Sequence, residues 1–252
     1  MRKVALACLA AAALGLFAPA RGAEPPAPPP QNWSFSGIFG NFDRFAQQRG
    51  FQVFREVCAA CHGVERLYFR NLAALGYSEA EVKDFAAQYE VTDGPNDDGE
   101  MFQRPAKPSD RFVAPFANEQ AARAANNGAL PPDLSLITKA RAGGADYLYA
   151  LLTGYTEAPE GVAVPDGMFH NAYFPGGQIA MPPPLTDDGV TFADGTPATV
   201  PQMARDVTTF LVWAAEPEME ERKRLGIKVI LFLLVLTGLL YALKRKVWSK
   251  VH

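Results

Sequence analysis

Apolar positions recur with a helical period over several segments of this chain. The first predicted helix runs from about Asp43 to Val57. Four phenylalanines lie at near-helical spacing along it, namely Phe42, Phe45, Phe51 and Phe54. We expect these four rings to form its buried face, because large aromatic side chains dominate protein cores.

Start and stop signals predict four more helices. Ser78 and Glu81 form a capping box for a helix that reaches about Tyr89. The other three predicted helices are Asn118 to Asn127, ended by Gly128; Asp146 to Thr153, stopped at Gly154; and Pro201 to Ala215, with Pro217 as the interruption that follows. The chain is therefore predicted to be mainly α.

Proline, glycine and aspartate are frequent between these helices. Glu24 to Pro30 is predicted to be an extended lead-in, while Val91 to Pro115 and Ala158 to Ala198 are predicted to be long ordered loops. Ordered loops of that length usually carry function.

The amino terminus has the layout of a secretory signal peptide. Arg2 and Lys3 precede an apolar run from Val4 to Phe17, and small residues follow it. We predict a signal peptide over residues 1–23, cleaved near residues 20–23. A retained membrane anchor is the alternative, although the run is shorter than the ~20 apolar residues that a spanning helix needs.

A second apolar run predicts one membrane span near the carboxyl terminus. Val229 to Leu243 contains no charge, and Leu225 to Lys228 extend the run to nineteen residues if Lys228 snorkels. We place the anchor at residues 222–246 and a short cytoplasmic tail at residues 247–252. Basic residues flank both ends, so this orientation depends mainly on export of the preceding segment.

Charge is unevenly distributed. All 27 acidic residues lie between residues 24 and 221 together with 13 of the 24 basic ones, so this segment carries a net charge of −14. We expect residues 24–221 to form one exported domain that repels nucleic acid and anionic lipid and attracts basic partners. A field of one sign is also a common means of keeping a protein soluble.

One pentapeptide suggests the chemistry of this domain. Cys58-Ala59-Ala60-Cys61-His62 has the spacing used to attach c-type haem, with two thioether bonds and a proximal imidazole. The alternatives are a chance match, or a redox or zinc pair followed by an incidental histidine. A zinc site would need four ligands, and no second cysteine or histidine pair is present. If Cys8 leaves with the signal peptide, haem consumes the remaining two thiols, so we expect no structural disulfide.

Haem iron ligated by a histidine needs a sixth ligand or keeps an open site. The candidates from residue 24 onward are Met101, Met168, Met181, Met203, Met219 and His170. Met203 and Met219 are poor choices because they lie close to the membrane. Met181 is the best, since glycines at 176 and 177 allow close backbone approach and three prolines fix the chain after it. On this local evidence alone, the alternative that Met181 simply packs in the core of a loop remains open.

Four segments carry a family resemblance. They are Arg49-Gly50-Phe51-Gln52-Val53 before the pentapeptide, the run from Ala121 to Ser135 that contains Pro131-Pro132-Asp133-Leu134, Tyr173-Phe174-Pro175-Gly176 leading to Met181-Pro182-Pro183-Pro184, and Trp213-Ala214-Ala215-Glu216-Pro217-Glu218. On these segments the chain resembles cytochrome c1, the haem subunit of the quinol–cytochrome c reductase, over essentially its whole length after the signal. The resemblance implies a class I cytochrome c-like haem domain with long loop insertions and one C-terminal transmembrane helix.

The resemblance also implies roles for individual residues. Cys58 and Cys61 would hold one covalent haem c, with His62 and Met181 as the axial ligands of its iron. Arg123 would meet a haem propionate, and Pro132 and Leu134 would pack against the haem. Pro182 departs from the small residue often found after the distal ligand, which leaves the ligation unaffected.

The function implied is electron relay in a membrane complex. The Rieske iron–sulfur protein would deliver electrons, a basic cytochrome c would accept them, and the span would pack beside the cytochrome b subunit in a complex that is expected to be dimeric. This places the haem domain in the periplasm and the anchor in the bacterial inner membrane. A free-standing membrane-anchored carrier that serves an oxidase is the alternative. A gas sensor or peroxidase would require an open or displaceable sixth position.

Overall fold

A computed structural model describes residues 25–250. The predicted signal peptide at residues 1–23 and its Cys8 lie outside this range, as do the last two residues of the tail. Residues 25–33 contain neither helix nor strand. The described chain forms a mainly helical domain and one long C-terminal helix, as the sequence predicts.

Seven α-helices account for most of the regular structure among the described residues. Their bounds are α1 Arg44–Glu56, α2 Glu79–Ala87, α3 Glu119–Ala125, α4 Ile137–Ala140, α5 Gly144–Thr153, α6 Val200–Ala215 and α7 Met219–Trp248. Short 3-10 helices cover Cys58–Ala60 and Phe69–Leu75. Five of the α-helices and the anchor helix were predicted; α4 and the 3-10 helices carry no period long enough to be recognised.

Side-chain caps define several helix starts. The carboxylate of Asp43 accepts from the amides of Phe45 and Ala46 at the start of α1. The Ser78 and Glu81 capping box begins α2, Asn118 caps α3, and Thr199 caps α6 with Pro201 in the first turn. These caps explain why the predicted boundaries agree with the observed ones to within about two residues.

The core forms where α1 crosses α6. Phe51 and Phe54 both lie with ring centroids 5.5 Å from that of Phe210, and Phe210 in turn contacts Trp213. Gly50 lies at the closest approach, where the carbonyl oxygen of Asp206 leaves no room for a side chain. Phe45 was predicted to be buried, but it is 69% exposed, because it points away from the face that carries Phe51 and Phe54.

The two predicted loops contain small antiparallel sheets. Strands β1 Glu90–Asp93 and β2 Phe102–Pro105 pair in the first loop, with Glu90 opposite Pro105. Strands β3 Phe169–His170 and β4 Gln178–Ile179 pair in the second, with Phe169 opposite Ile179. The prediction that these segments lack regular structure is therefore wrong at these strands.

Helix α7 projects from the domain. Residues 229–248 are exposed along the whole circumference of the helix, and it is the one helix among the described residues long and apolar enough to cross a membrane. The predicted break lies between Ala215 and Met219, where Pro217 separates α6 from α7.

Candidate functional site

The Cys58 to His62 segment forms a single tight turn after α1. The amides of Cys61 and His62 both donate to the carbonyl of Cys58, at 3.1 and 2.9 Å. Both cysteines are partly exposed free thiols. Removal of its sulfur from water, and the neighbouring Cys61, raise the pKa of the Cys58 thiol to about 12. The turn therefore presents two free thiols beside an imidazole.

His62 is oriented by the segment that contains Pro132. Its Nδ1 lies 2.8 Å from the carbonyl oxygen of Pro132, and its Nε2 has no hydrogen-bond partner among residues 25–250. A carbonyl can only accept, so Nδ1 carries the proton and Nε2 keeps its lone pair. Burial lowers the pKa of His62, which favours the neutral imidazole that a metal ion requires.

Three more hydrogen bonds join these two segments. Leu134 donates its amide to the carbonyl of Gly63 at 2.8 Å, and the amide of Glu65 donates to the carboxylate of Asp133, also at 2.8 Å. The amide of Arg66 donates to the hydroxyl of Ser135 at 3.1 Å. Each donor lies 68 or more positions from its acceptor, so the segment after Pro131 is fixed against the cysteine turn by tertiary structure.

A cleft of about 360 Å³ opens beside this junction. Its lining includes Cys61, Ala122, Leu130, Pro131 and Pro132. Pro132 borders the cleft, and Leu134 is 8% exposed in the core. Their predicted packing against a haem stays a prediction.

Arg123 lies on the exposed side of α3, next to Ala122. Its Nη1 donates to the carbonyl of Gly128 at 3.0 Å, so within the described chain the side chain closes the end of its own helix. No hydrogen bond joins it to the cysteine turn among residues 25–250. Its predicted role toward a propionate stays a prediction.

Met181 follows β4 and is partly buried. The phenolic hydroxyl of Tyr155 donates to the main-chain carbonyl of Met181 at 3.0 Å. Tyr155 in turn forms a β-bridge with Asn171, whose fully buried side chain donates to the carbonyl of Leu151 at the end of α5. The loop that carries Met181 is thereby tied to a core helix.

The two glycines before Met181 lie in a turn, and within residues 25–250 no backbone approaches them closely: a Cβ at Gly176 would meet nothing within 4 Å, and one at Gly177 only the His170 ring at 3.8 Å. Gly176 and Gly177 adopt φ of +82° and +73°, values that other residues rarely adopt. Among the other candidate ligands, Met203 and Met219 are buried in the core at 0% and 4% exposure, and His170 Nδ1 lies 2.9 Å from the Thr156 hydroxyl. No hydrogen bond within residues 25–250 joins the Met181 segment to the cysteine turn.

Sequence reasoning missed the positioning groups. Tyr155 carries no local motif, and no sequence pattern indicated that the Pro132 carbonyl contacts His62. Asp133 had a visible signal, because an aspartate side chain in a loop often accepts the main-chain amide two residues further on in an Asx turn. It accepts the amide of Ser135 at 2.9 Å as well as that of Glu65.

The donor set suits c-type haem. Two thiols lie on one turn, beside an imidazole whose Nε2 makes no hydrogen bond within residues 25–250. A cluster of three or more histidine, cysteine, aspartate or glutamate side chains that could hold a bare metal ion is not present in residues 25–250.

The comparisons with known proteins agree on one family. The Cytochrome C1 family matches residues 33–251. Cytochrome c1 of Rhodospirillum rubrum is 52% identical, over 88% of this chain and 87% of its own length. A mitochondrial cytochrome c1 heme protein of Arabidopsis thaliana is 54% identical, over 88% of this chain and 72% of its own length. The cytochrome b/c1 protein of Bradyrhizobium diazoefficiens is 53% identical over 99% of this chain, which spans 40% of that longer protein.

These matches confirm the predicted resemblance. They also fit the predicted fold class, a mainly helical class I c-type haem domain with one apolar C-terminal helix. The chain belongs to the cytochrome c1 family.

Proposed function

We propose that this chain is the haem-carrying electron-transfer subunit of a quinol–cytochrome c reductase. Membership of the cytochrome c1 family supports the class of protein. One observation supports particular haem-binding residues. His62 Nδ1 donates a hydrogen bond to the Pro132 carbonyl, which leaves Nε2 available beside Cys58 and Cys61.

In this proposal the chain binds one haem c. When bound, haem would supply a one-electron iron couple. Cys58 and Cys61 would hold it covalently, His62 would be the proximal ligand, and Met181 the distal ligand. The Pro132 carbonyl would fix the tautomer and the ring plane of His62, and its acceptor character would raise the basicity of Nε2.

Tyr155 would hold the distal ligand, Met181, in place. Its hydrogen bond holds the Met181 carbonyl, and the bridge to Asn171 holds the backbone of Tyr155 itself. A ligand on a loop is otherwise free to leave, so this restraint would favour a closed coordination site over one open to gases or peroxide. A soft thioether would also raise the reduction potential relative to a second imidazole.

Residues 24–221 would form the periplasmic domain and α7 would anchor it in the bacterial inner membrane, beside a cytochrome b subunit of a dimeric complex. In this arrangement the Rieske iron–sulfur protein donates electrons and a basic cytochrome c accepts them. The relatives named cytochrome c1 support the complex, and the net charge of −14 supports a basic acceptor.

Two acidic loop stretches could steer a basic partner: the first contains Glu90, Asp93, Asp97, Asp98 and Glu100, and the second contains Asp187, Asp188 and Asp194. We propose the first stretch as the docking site. Asp93 of the first stretch pairs with Arg104, but Asp97, Asp98 and Glu100 lie between β1 and β2, are exposed, and have carboxylates that make no ion pair or hydrogen bond with any residue from 25 to 250. In the second stretch, Asp194 pairs with Arg49 at 2.7 Å and Asp187 accepts the amide of Val200. Charges already paired within the chain attract a partner less.

One experiment tests the ligands. The full chain is expressed with haem attachment, and the absorption spectra of the oxidised and reduced protein are recorded for wild type, Met181→Lys and Met168→Lys. We expect the methionine–iron charge-transfer band to disappear only in Met181→Lys. Its loss only in Met168→Lys, or carbon monoxide binding to the reduced wild type at native pH, would refute Met181 as the distal ligand.

A second experiment tests the assembly. Affinity purification of the full chain from its own membranes should recover a dihaem cytochrome b and quinol–cytochrome c reductase activity. Purification of a haem-loaded chain that transfers electrons to an oxidase without such a subunit would instead support the free-standing carrier.

A further inference from the structure

An exposed apolar loop lies beside the start of the anchor helix, and neither the ligands nor the partners proposed above account for it. Ile38 is 67% and Phe39 80% exposed. Together with Gly40 and Asn41 they border a shallow groove whose other wall is formed by Glu220, Lys223, Arg224 and Ile227 of α7. We define the interfacial loop as residues 36–39.

The interfacial loop is held rigidly to α7. Lys223 Nζ donates to the carbonyls of Phe35 and Gly40, at 2.6 and 3.1 Å, and so grips the chain on both sides of the loop. The amide of Phe42 donates to Glu220 at 2.8 Å, and Arg44 pairs with the same carboxylate at 3.0 Å. The apolar tip is therefore presented in a fixed position rather than left free to fold back.

Helix geometry places the loop tip relative to a membrane. The uncharged run from Val229 to Leu243 spans fifteen residues, or about 22 Å, which is less than the ~30 Å hydrocarbon core of a bilayer. If the membrane-buried part of α7 extended beyond this run toward the carboxyl end, three consecutive charged residues, Lys244 to Lys246, would lie in the hydrocarbon core. Extension toward the amino end adds Leu225 to Lys228, with one charge that can snorkel, and gives about 28 Å.

The boundary of the hydrocarbon core therefore lies near Leu225. Ile227 is two residues inside that boundary, and it forms the same groove as Ile38 and Phe39. We propose that the interfacial loop inserts into the outer leaflet of the lipid bilayer beside the anchor helix, as a second membrane contact that fixes the tilt of the haem domain.

The local charge agrees with a bilayer as the occupant. The domain as a whole is acidic, but at the level of the loop α7 carries four basic residues, Arg222, Lys223, Arg224 and Lys228, against two acidic ones, Glu220 and Glu221, and this local excess of positive charge favours anionic head groups. The apolar surface of the loop is also continuous with the lipid-facing surface of α7. This inference requires that α7 spans the membrane, and the experiment tests that requirement separately.

The test is spin-label accessibility in the full, haem-loaded chain. A nitroxide is attached to Phe39→Cys, with Leu236→Cys as the mid-span control and Asp98→Cys as the aqueous control. Each variant is reconstituted into phosphatidylcholine–phosphatidylglycerol vesicles. Collision with oxygen, which concentrates in lipid, is compared with collision with a water-soluble nickel chelate. A second variant, Ile38→Cys, covers the case in which the first fails to fold.

We expect the oxygen-to-nickel accessibility ratio at residue 39 to shift from the value at Asp98 toward the value at Leu236. A ratio equal to that of Asp98 would overturn the inference, and so would shielding from both reagents in the assembled complex, which would assign the loop to a neighbouring subunit. A water-like ratio at Leu236 would show that α7 does not span the membrane. More than one labelled thiol per chain would show that haem is not attached, and would count against the proposed function alone.

Discussion

The crossing of α1 and α6 allows a quantitative prediction at Gly50. A Cβ at this position would lie 2.0 Å from the carbonyl oxygen of Asp206 and 2.9 Å from Cβ of Phe210. Ordinary contact requires about 3.5 Å, so the two helices would have to separate by more than about 1 Å. Neither backbone can yield locally, because the displaced atom belongs to the main chain of α6.

We expect Gly50→Ala to destabilise the domain by about 3 kcal/mol. Overpacking of this kind costs about 1–3 kcal/mol or more, and alanine returns about 1 kcal/mol through its higher helix propensity. A clash with main-chain atoms exceeds this typical range, at about 4 kcal/mol before the gain from alanine, because separation of the helices also weakens the ion pair between Arg49 and Asp206. For a domain of this size, about 3 kcal/mol corresponds to a fall in Tm of about 6–12 °C.

The assay is thermal unfolding of the full chain in detergent, followed by fluorescence of the buried Trp33 and Trp213. The matched control is Gly238→Ala, which makes the same change inside a helix where nothing lies within 4 Å. The control should melt like the wild type. A Gly50→Ala protein that melts within about 1 °C of the wild type would show that the helices do not cross as closely as described.

Three further predictions follow from the site and the surface. Tyr155→Phe removes the donor to the Met181 carbonyl, worth about 1 kcal/mol, so added imidazole should displace the distal ligand at about fivefold lower concentration in a spectroscopic titration. Hydrogen bonds from the Thr196 amide and then from Arg49 lower the pKa of Asp194 to about 2, below its unfolded value. The stabilising contribution of Asp194 is therefore complete above about pH 4 and is lost as the pH falls toward 2. Asp194→Asn should flatten that part of the pH profile of Tm. Asp98→Asn should slow electron transfer to a basic cytochrome c, and the deficit should shrink as ionic strength rises.

Matched variants separate these effects from general damage. Tyr149→Phe removes a phenol that makes no hydrogen bond within residues 25–250, so its imidazole titration should match the wild type. Asp188→Asn removes one exposed charge from the other acidic stretch and should leave both the acid limb of the Tm profile and the salt dependence unchanged. If Asp188→Asn alone altered the salt dependence, the docking site would lie in the second stretch.

The sequence determined the features that depend on neighbours along the chain. Caps such as Asp43 and Ser78 satisfy amides within three residues, so the helix starts could be located from local composition. The anchor helix and the Cys58 to His62 turn are equally local. The short strands were missed because Glu90–Asp93 and Phe102–Pro105 are mostly polar and exposed, and therefore lack the apolar alternation that identifies a strand.

Only the tertiary structure decided which groups position the candidate ligands. The contact between His62 and Pro132 joins residues 70 positions apart, and that between Tyr155 and Met181 joins residues 26 apart. The exposure of Phe45 and the hydrogen bonds from Lys223 to both sides of the interfacial loop likewise depend on which elements pack together. Such contacts exist because burial of the Phe51, Phe54 and Phe210 cluster brings distant segments together, and no local period or composition encodes that arrangement.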